Sequence, residues 1–370
     1  MLQLKPKIFR FDSFADFSVF FKAGAGDLVL TNEFLHDSFL KPAAAGADFL
    51  FQEKYGAGEP SDSMIDEIRG EMKGKDYRRV IAVGGGSVID IAKLLVLDAE
   101  CSTLDLFERR APLEKKRELI IIPTTCGTGS EVTNISIAEI KSKNTKMGLA
   151  DDVLLADYAV LIPELVRGLP YRFFITSSID ALIHAIESYV SPKSNPYTEL
   201  FSVKAIELIL GGYTDLSENG PEYRLEIIED FMTGSNFAGI AFGNTGVGAV
   251  HALSYPLGAA CHVPHGEANY QFFTEVFRAY SRRNPEGKIK SLNSILAGIL
   301  GVPEESDIYA ELSRLLDRLL PRKPLKEYGM KEADIELYTD NVIKTQQRLL
   351  ANNYADLSRE EIRDIYKALY

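Results

Sequence analysis

Residues 80–87, VIAVGGGS, carry the clearest indication of the fold. Four aliphatic residues run directly into three glycines and a serine, and an amphipathic segment, residues 88–97, follows. A short apolar run that ends in glycine is typical of a strand buried in a parallel sheet. The pattern therefore predicts a strand, a glycine turn and a helix. Taken alone, the turn is equally compatible with a phosphate-binding loop and with a plain tight connection.

The rest of the chain divides into two halves of different character. Further buried strands are predicted at residues 28–30, 47–52 and 119–122, with a helix at 62–73. Beyond Pro163 the apolar residues recur with helical period, at residues 179–190, 199–210, 223–242, 308–320 and 333–351. We therefore predict an α/β Rossmann-like domain, residues 1–165, and an all-α domain, residues 166–370.

Composition excludes several classes of function. The chain has 370 residues and a net charge of −12, without a block of Lys or Arg, so nucleic acid is not an expected partner. Three separated cysteines indicate a reducing compartment. We find neither a signal peptide nor an apolar run long enough to cross a bilayer. The expectation is a cytoplasmic protein that acts on a small molecule.

A second loop strengthens the case for a nucleotide site. The sequence PTTCGTGSE, residues 123–131, also follows an aliphatic run and is rich in hydroxyl groups and glycine. Ligands of open α/β sheets bind beyond the carboxyl ends of the strands. Two such loops together favour nucleotide binding over two plain turns.

Histidines in the helical half point to a metal ion. Asp180 and His184 stand four residues apart, so they share one face of a predicted helix and can bind one ion. A helix-stabilising Asp–His pair is the alternative. His251 lies in a run of small residues, 238–253, that is predicted to be one buried helix, and His265 is predicted to lie on a turn. Three imidazoles and one carboxylate suit Fe(II) or Zn(II).

These motifs, taken in order, resemble the iron-containing (group III) alcohol dehydrogenases. The matching segments are GGGS with Asp90 and Lys93, then residues 123–131, then Asp180 to Ala185, and finally residues 251–258 and 264–266. The resemblance implies a dehydroquinate synthase-like architecture, with NAD in the cleft between the two domains. It also implies a divalent metal, with Fe(II) preferred and Zn(II) as the alternative, and a homodimer.

The resemblance assigns roles residue by residue. The implied metal ligands are Asp180, His184, His251 and His265. Gly86 and Ser87 would contact the pyrophosphate of the cofactor, and Asp90 would lie near the nicotinamide ribose. Three threonines and a lysine would line the rest of the cofactor site, namely Thr124, Thr125, Thr133 and Lys146.

The chain departs from the family pattern at two positions. Family members often carry an aspartate that binds the adenosine ribose, but Asn32 occupies that position here. NADP is therefore not excluded by charge. Many members have a histidine four residues after the third metal ligand, where this chain has Tyr255. Either the phenol transfers the proton in its place, or the proton leaves through water and the ribose hydroxyls.

The implied reaction is hydride transfer between NAD and a short-chain alcohol. Residues 124–152, 251–275 and 344–353 resemble members that interconvert 4-hydroxybutyrate and succinate semialdehyde, so an ω-hydroxy acid is expected. His262, three residues before His265, is the candidate partner for the substrate carboxylate, although it is equally compatible with a surface histidine. The alternatives are a dehydroquinate-synthase-like lyase that uses NAD transiently and a non-catalytic NAD-binding regulator.

Overall fold

The computed structural model describes residues 1–56, 58–98, 100–143 and 145–370. The chain forms two compact units, Leu4–Leu169 and Pro170–Tyr370, and Met1–Gln3 belong to the second. Gln3 joins that unit because its backbone exchanges hydrogen bonds with the side chain of Asn244, at 2.6 and 3.0 Å. The predicted boundary after residue 165 stays a prediction.

The first unit is an α/β unit. Its strands are β1 Lys7–Arg10, β2 Asp27–Thr31, β3 Asp48–Phe51, β4 Arg79–Gly84, β5 Glu118–Pro123, β6 Ile135–Ile140, β7 Thr145–Ala150 and β8 Tyr158–Leu161. Its helices are α1 Phe14–Phe21, α2 Glu33–Leu35, α3 Lys41–Ala43, α4 Asp62–Glu71, α5 Gly86–Leu95 and α6 Thr103–Phe107. Six strands form a parallel sheet in the order β1-β8-β5-β4-β2-β3, and β6 and β7 form an antiparallel pair.

Both faces of the parallel sheet are buried, which explains the uninterrupted aliphatic runs. Alternate residues point to opposite faces, so Val80 and Ala82 pack into one core cluster while Ile81 and Val83 pack into another. The register aligns Thr31 of β2 with Val83 of β4. Because the strands are parallel, the loops that follow β2, β3, β4 and β5 leave the same edge of the sheet.

The second unit is helical. Its helices are α7 Tyr171–Val190, α8 Pro196–Asn219, α9 Ile228–Thr245, α10 Ala249–Cys261, α11 His265–Arg283, α12 Lys288–Leu300, α13 Ile308–Leu319, α14 Asp334–Thr345, α15 Gln347–Leu350 and α16 Arg359–Leu369. Within the described ranges, every strand lies in the first unit. The predicted fold class, an α/β domain followed by an all-α domain, is confirmed.

Several predicted elements differ in detail. The strand predicted at 47–52 is present, but it lies at the edge of the sheet and Asp48 at its start is exposed, so it is not fully buried. The helix predicted at 333–351 is interrupted at Gln346. In the part of the chain that the structure covers, no helix combines the length and the apolar character needed to cross a membrane.

Candidate metal centre and dinucleotide loops

Helix α7 places a carboxylate and an imidazole on one buried face. Asp180 and His184 are 2% and 4% exposed, and the Asp180 Oδ2 atom lies 4.0 Å from the His184 Nε2 atom. The ring of His184 stacks on Phe242, with centroids 4.1 Å apart, which fixes its orientation. The pair is therefore buried and does not lie at the surface of the helix.

His251 lies beside Asp180 and His184 because the chain forms two helices where one was predicted. The small-residue run 238–253 was expected to form one helix, which is wrong, because α9 ends at Thr245 and α10 begins at Ala249. Gly246 adopts a φ of 75°, and a Cβ atom there would lie 2.6 Å from the side chain of Asn352. Only glycine fits this position without strain. The break sets His251 in the first turn of α10.

His265 is also placed differently from the prediction. It is the first residue of α11, after Pro264, and does not lie on a turn. Pro264 starts the helix well because it lacks the N–H group that a helix start leaves unbonded. A Cβ atom on Gly266 would collide with the carbonyl group of Thr176, so glycine allows α11 to approach α7 closely. This approach brings the His265 Nε2 atom to 3.9 Å from Asp180 Oδ1.

The four predicted ligands converge. One ligand atom from each of Asp180, His184, His251 and His265 lies within 4.8 Å of the others. The Nε2 atoms of His184 and His251 are 3.0 Å apart, and His251 Nε2 lies 3.7 Å from Asp180 Oδ1. A metal–nitrogen bond of about 2.0–2.1 Å requires ligand atoms roughly 3–4 Å apart in a tetrahedral site. The donor set and its spacing therefore fit a divalent Fe or Zn ion.

Glu187 supports the cluster, although no motif in the sequence points to it. Its Oε2 atom lies 2.7 Å from His251 Nδ1, and its Oε1 atom accepts a hydrogen bond from the Val250 amide at 2.8 Å. This contact holds the proton of His251 on Nδ1, so the Nε2 lone pair faces the other ligands. Glu187 follows Asp180 by seven residues on a face of apolar neighbours, and that spacing was the signal available in the sequence.

Asn269 is a second supporting residue that the sequence motifs do not predict. Its Nδ2 atom donates to Asp180 Oδ1 at 2.7 Å and lies 3.1 Å from His265 Nε2. Ser254 donates to its Oδ1 atom, which fixes the orientation of the amide. Asn269 follows His265 by four residues on α11, so it shares the face of a predicted ligand.

The charges in the cluster shift two pKa values. Burial opposes ionisation of Asp180, but the three imidazoles and the Asn269 amide outweigh it and hold the pKa of this carboxyl below its usual range. Burial also opposes protonation of His251, but Glu187 and Asp180 outweigh that effect and raise the pKa of the ring. Asp180 therefore carries a full negative charge at neutral pH, as a metal ligand requires.

The two predicted catalytic residues, Tyr255 and His262, are close in sequence to His251 and His265. They differ in burial. Tyr255 is half-buried on α10, and its ring centroid lies 6.2 Å from that of His265. His262 ends α10 in the left-handed conformation, with φ 53° and ψ 33°, and it is exposed. It is not one of the four converging ligands.

In the first unit, the two predicted loops lie side by side. Gly85 ends the turn after β4, and α5 begins at Gly86. A Cβ atom on Gly86 would lie 3.0 Å from Thr128, and one on Gly85 would lie 3.6 Å from Thr125. Thr124 follows β5, is buried, and donates its backbone N–H to the Gly84 carbonyl at 3.1 Å. Ser87 donates its hydroxyl to the Gly58 carbonyl at 3.0 Å, so it does not cap the helix.

A fully buried lysine connects α5 to the second loop. The Lys93 Nζ atom donates to Ser130 Oγ at 2.8 Å, to Thr133 Oγ1 at 3.1 Å and to the Ile135 carbonyl at 2.7 Å. Burial lowers the pKa of Lys93 to about 8, against the opposing charges of Asp90 and Glu131. Thr133, a predicted cofactor residue, is therefore held by this ammonium group.

The remaining predicted cofactor residues have protein partners in the structure. Asp90 accepts hydrogen bonds from Ser130 Oγ at 2.9 Å and from the Ile137 amide at 3.1 Å. Lys146, on β7, forms an ion pair with Glu59. The neutral side chain of Asn32 follows β2 and donates to Gln52 and Glu53, at 3.3 and 2.9 Å. The cofactor roles of these residues stay predictions.

Comparison with known protein families identifies the chain. Residues 9–163 match the model described as iron-containing alcohol dehydrogenase. Residues 174–370 match the C-terminal model of the Fe-containing alcohol dehydrogenase family. The chain belongs to the iron-containing alcohol dehydrogenase family. This membership confirms the resemblance that the motifs indicated. The family is named for iron, which agrees with the convergence of four possible metal-binding side chains.

Individual relatives agree with the family assignment. The chain is 62% identical to the 4-hydroxybutyrate dehydrogenase of Clostridium kluyveri over 370 residues, which are the whole of both chains. An iron-containing alcohol dehydrogenase from Thermococcus thioreducens matches with a TM-score of 0.85 and 26% identity, over 100% of this chain and 99% of that chain. Sulfoacetaldehyde reductase from Bifidobacterium kashiwanohense, solved in complex with NAD+, has the same fold, with a TM-score of 0.86, 22% identity and coverage of 100% and 98%.

Proposed function

We propose that this alcohol dehydrogenase interconverts 4-hydroxybutyrate and succinate semialdehyde, with NAD as the hydride carrier and a divalent metal ion as the activating group. The proposed substrate is the one named for the Clostridium kluyveri relative. We base it on the 62% identity, which extends over the whole of both chains. The general reaction follows from the family. The specific substrate is the part that an experiment must establish.

The observation that carries the chemistry is the convergence of Asp180, His184, His251 and His265. A divalent ion held there, Fe(II) by proposal with Zn(II) as the alternative, would act as a Lewis acid on the alcohol or aldehyde oxygen. The ligand side chains supply one negative charge and three neutral donors. Glu187 keeps the His251 Nε2 lone pair directed at the ion, and Asn269 keeps the Asp180 carboxylate in place.

The exposure of the ligands suggests how the substrate arrives. The side chain of His265 is 39% exposed, whereas those of Asp180, His184 and His251 are at most 6% exposed. We infer that the substrate oxygen approaches from the side of His265. The burial of the other three side chains keeps water away, which strengthens the charge interactions in the site.

The cofactor site is proposed at the loops beyond β4 and β5. Backbone N–H groups at the start of α5 would bind the pyrophosphate, because glycine permits a close approach and a helix start attracts anions. Gly86 and Ser87 are the residues proposed for this contact. Thr124, Thr125, Thr133, Lys146 and Asp90 are proposed to line the remainder. The nicotinamide supplies the hydride chemistry.

Two further residues receive proposed roles. Tyr255 is proposed to relay the alcohol proton, its phenol oxygen taking up that proton while its own hydroxyl proton passes to solvent, since its phenol lies on α10 one turn after His251 and near His265. His262 is proposed to bind the substrate carboxylate, since it is exposed and three residues from His265. The proposed assembly is a homodimer, and the proposed location is the cytoplasm.

The test is a metal analysis of the purified chain together with an assay of NADH consumption on a panel of aldehydes. We expect activity that depends on Fe(II) or Zn(II) and is lost on chelation. Consumption of NADH with succinate semialdehyde separates this proposal from the lyase and regulator alternatives. NADH that is bound but never consumed by any aldehyde would contradict it.

A further inference from the structure

The adenosine end of the proposed cofactor site carries a carboxylate that comes from an unexpected strand. Asn32 follows β2, and Gln52 and Glu53 follow β3. The register pairs Thr31 with Phe51 on one side and with Val83 on the other. Asn32, Glu53 and the first glycine of the GGGS turn therefore lie at the same edge of the sheet.

The Glu53 carboxylate is fixed in direction by its neighbours. Its Oε1 atom accepts a hydrogen bond from Asn32 Nδ2 at 2.9 Å, and its Oε2 atom accepts one from the Glu33 amide at 3.4 Å. The side chain is exposed. Lys54, the adjacent cation, is paired with Glu71 at 2.6 Å. Glu53 therefore presents an ordered negative charge to a ligand at this edge.

Hydrogen bonds connect this position to the glycine turn. Gln52, which also accepts from Asn32, donates to the carbonyl groups of Gly56 and Gly58, at 3.2 and 3.3 Å. Gly58 accepts from Ser87, at the start of α5, at 3.0 Å. The carboxylate and the proposed pyrophosphate loop thus belong to one network.

We infer that Glu53 takes over the role of the aspartate that family members often carry at the position of Asn32. Glu53 then selects NAD over NADP. This inference rests on the proposed function, because it presumes that a dinucleotide lies across these strand ends. A carboxylate accepts hydrogen bonds from the ribose hydroxyls and repels a 2′-phosphate. The charge expected at the end of β2 is supplied from the end of β3. NADP, left open by the sequence, should then be bound poorly.

The test uses Glu53→Gln, which keeps the shape and removes the charge, with Glu33→Gln as a matched control on the neighbouring exposed carboxylate. Binding of NADH and NADPH to the full chain is measured by the fluorescence of the nucleotide, without substrate. We expect Glu53→Gln to tighten NADPH binding by about tenfold and to change NADH binding by less than about threefold. Glu33→Gln should leave the ratio of the two affinities unchanged.

A charge exchange provides the second variant. Combining Glu53→Gln with Asn32→Asp moves the negative charge to the end of β2, and we expect it to restore the preference for NADH. An unchanged ratio in Glu53→Gln, or an equal change in Glu33→Gln, would overturn the role of Glu53 while leaving the dehydrogenase proposal intact. Wild-type protein that binds neither nucleotide would instead overturn the proposed function itself.

Discussion

The proposed metal cluster depends on the supporting residues Glu187 and Asn269 as well as on its four proposed ligands. His251 can offer Nε2 to a metal only while its other nitrogen holds the proton, and Glu187 is the group that secures this state. Asn269 donates a hydrogen bond to the Asp180 carboxylate and so fixes its orientation. That these four side chains belong together could be predicted from the sequence, and their convergence is observed. The supporting residues could be identified only from the structure, because Glu187 and His251, for example, are 64 residues apart in the chain.

Replacing His265 with Ala should lower metal content and activity together, because three ligands hold a divalent ion less tightly than four. The loss of affinity should exceed the roughly 10–100-fold that removal of a supporting residue costs. Metal content is measured after dialysis against a weak chelator. His36→Asn, which changes a histidine of the first unit, serves as control and should retain full occupancy. A His265→Ala protein with wild-type metal content would remove His265 from the ligand set.

Replacing Glu187 with Gln should reduce metal affinity by about 10–100-fold, because the neutral amide no longer polarises the imidazole of His251. Affinity is measured by competition with a chelator. The thermal unfolding of the metal-free protein is followed in parallel, to separate positioning from folding. Glu199→Gln is the matched control, since Glu199 pairs with Lys288 at 2.6 Å and does not contact the cluster. Wild-type affinity in Glu187→Gln would show that the orientation of His251 is set by other contacts.

His262 tests the recognition of the substrate carboxylate. Asn is the appropriate replacement, because it tolerates the left-handed conformation that His262 adopts. Loss of a partly exposed charge-assisted contact should raise KM for succinate semialdehyde by about three- to tenfold. KM for butyraldehyde, which has no carboxylate, should not change. Equal increases for both aldehydes would point to a role in the turn between α10 and α11.

Among the elements, a single glycine explains the failure of one predicted helix. The sequence pattern predicted the strands β2, β4 and β5 well, because a buried parallel strand needs an unbroken aliphatic run. The helix through 238–253 was wrong because small residues suit a helix locally, whereas the left-handed Gly246 and its contact with Asn352 end it. That contact joins residues 106 positions apart, which a local pattern does not encode.

The junction between α5 and the second loop depends on Lys93. Replacing it with Met removes the donor to Ser130, Thr133 and Ile135, so the free energy of unfolding should fall by about 2–4 kcal/mol at neutral pH. NADH binding should weaken too, if Thr133 lines the cofactor site. Unfolding by urea is followed by circular dichroism, since the chain has no Trp.

The effect of Lys93→Met should also depend on pH. The pKa of Lys93 is about 8 in the folded chain, against an ordinary value of 10.5, so the unfolded state binds more protons between these values. The wild type therefore gains stability as the pH rises through this window, and the variant does not. The stability difference should grow by about 2 kcal/mol between about pH 7 and pH 9.5. Lys41→Met, at an exposed lysine, should show no such growth.

For the molecule as a whole, the fold class and the set of four converging side chains could be predicted, whereas the charge proposed to select the cofactor could not. The period of the apolar residues and the spacing of the motifs can be read directly from the sequence. The charge proposed to face the adenosine ribose depends on which strand lies beside β2, and the sequence indicates that only indirectly. Asn32 taken alone therefore suggested tolerance of NADP, whereas the adjacent Glu53 indicates discrimination against it.

We propose above all that this family member reduces succinate semialdehyde with NADH in a metal-dependent reaction. The most direct measurement compares kcat/KM for succinate semialdehyde and butyraldehyde, using the full chain loaded with Fe(II). We predict that succinate semialdehyde is preferred by about tenfold or more, because only this aldehyde carries the carboxylate, and that chelation abolishes both activities. A preference for butyraldehyde, or undiminished activity after the metal is removed, would contradict the account.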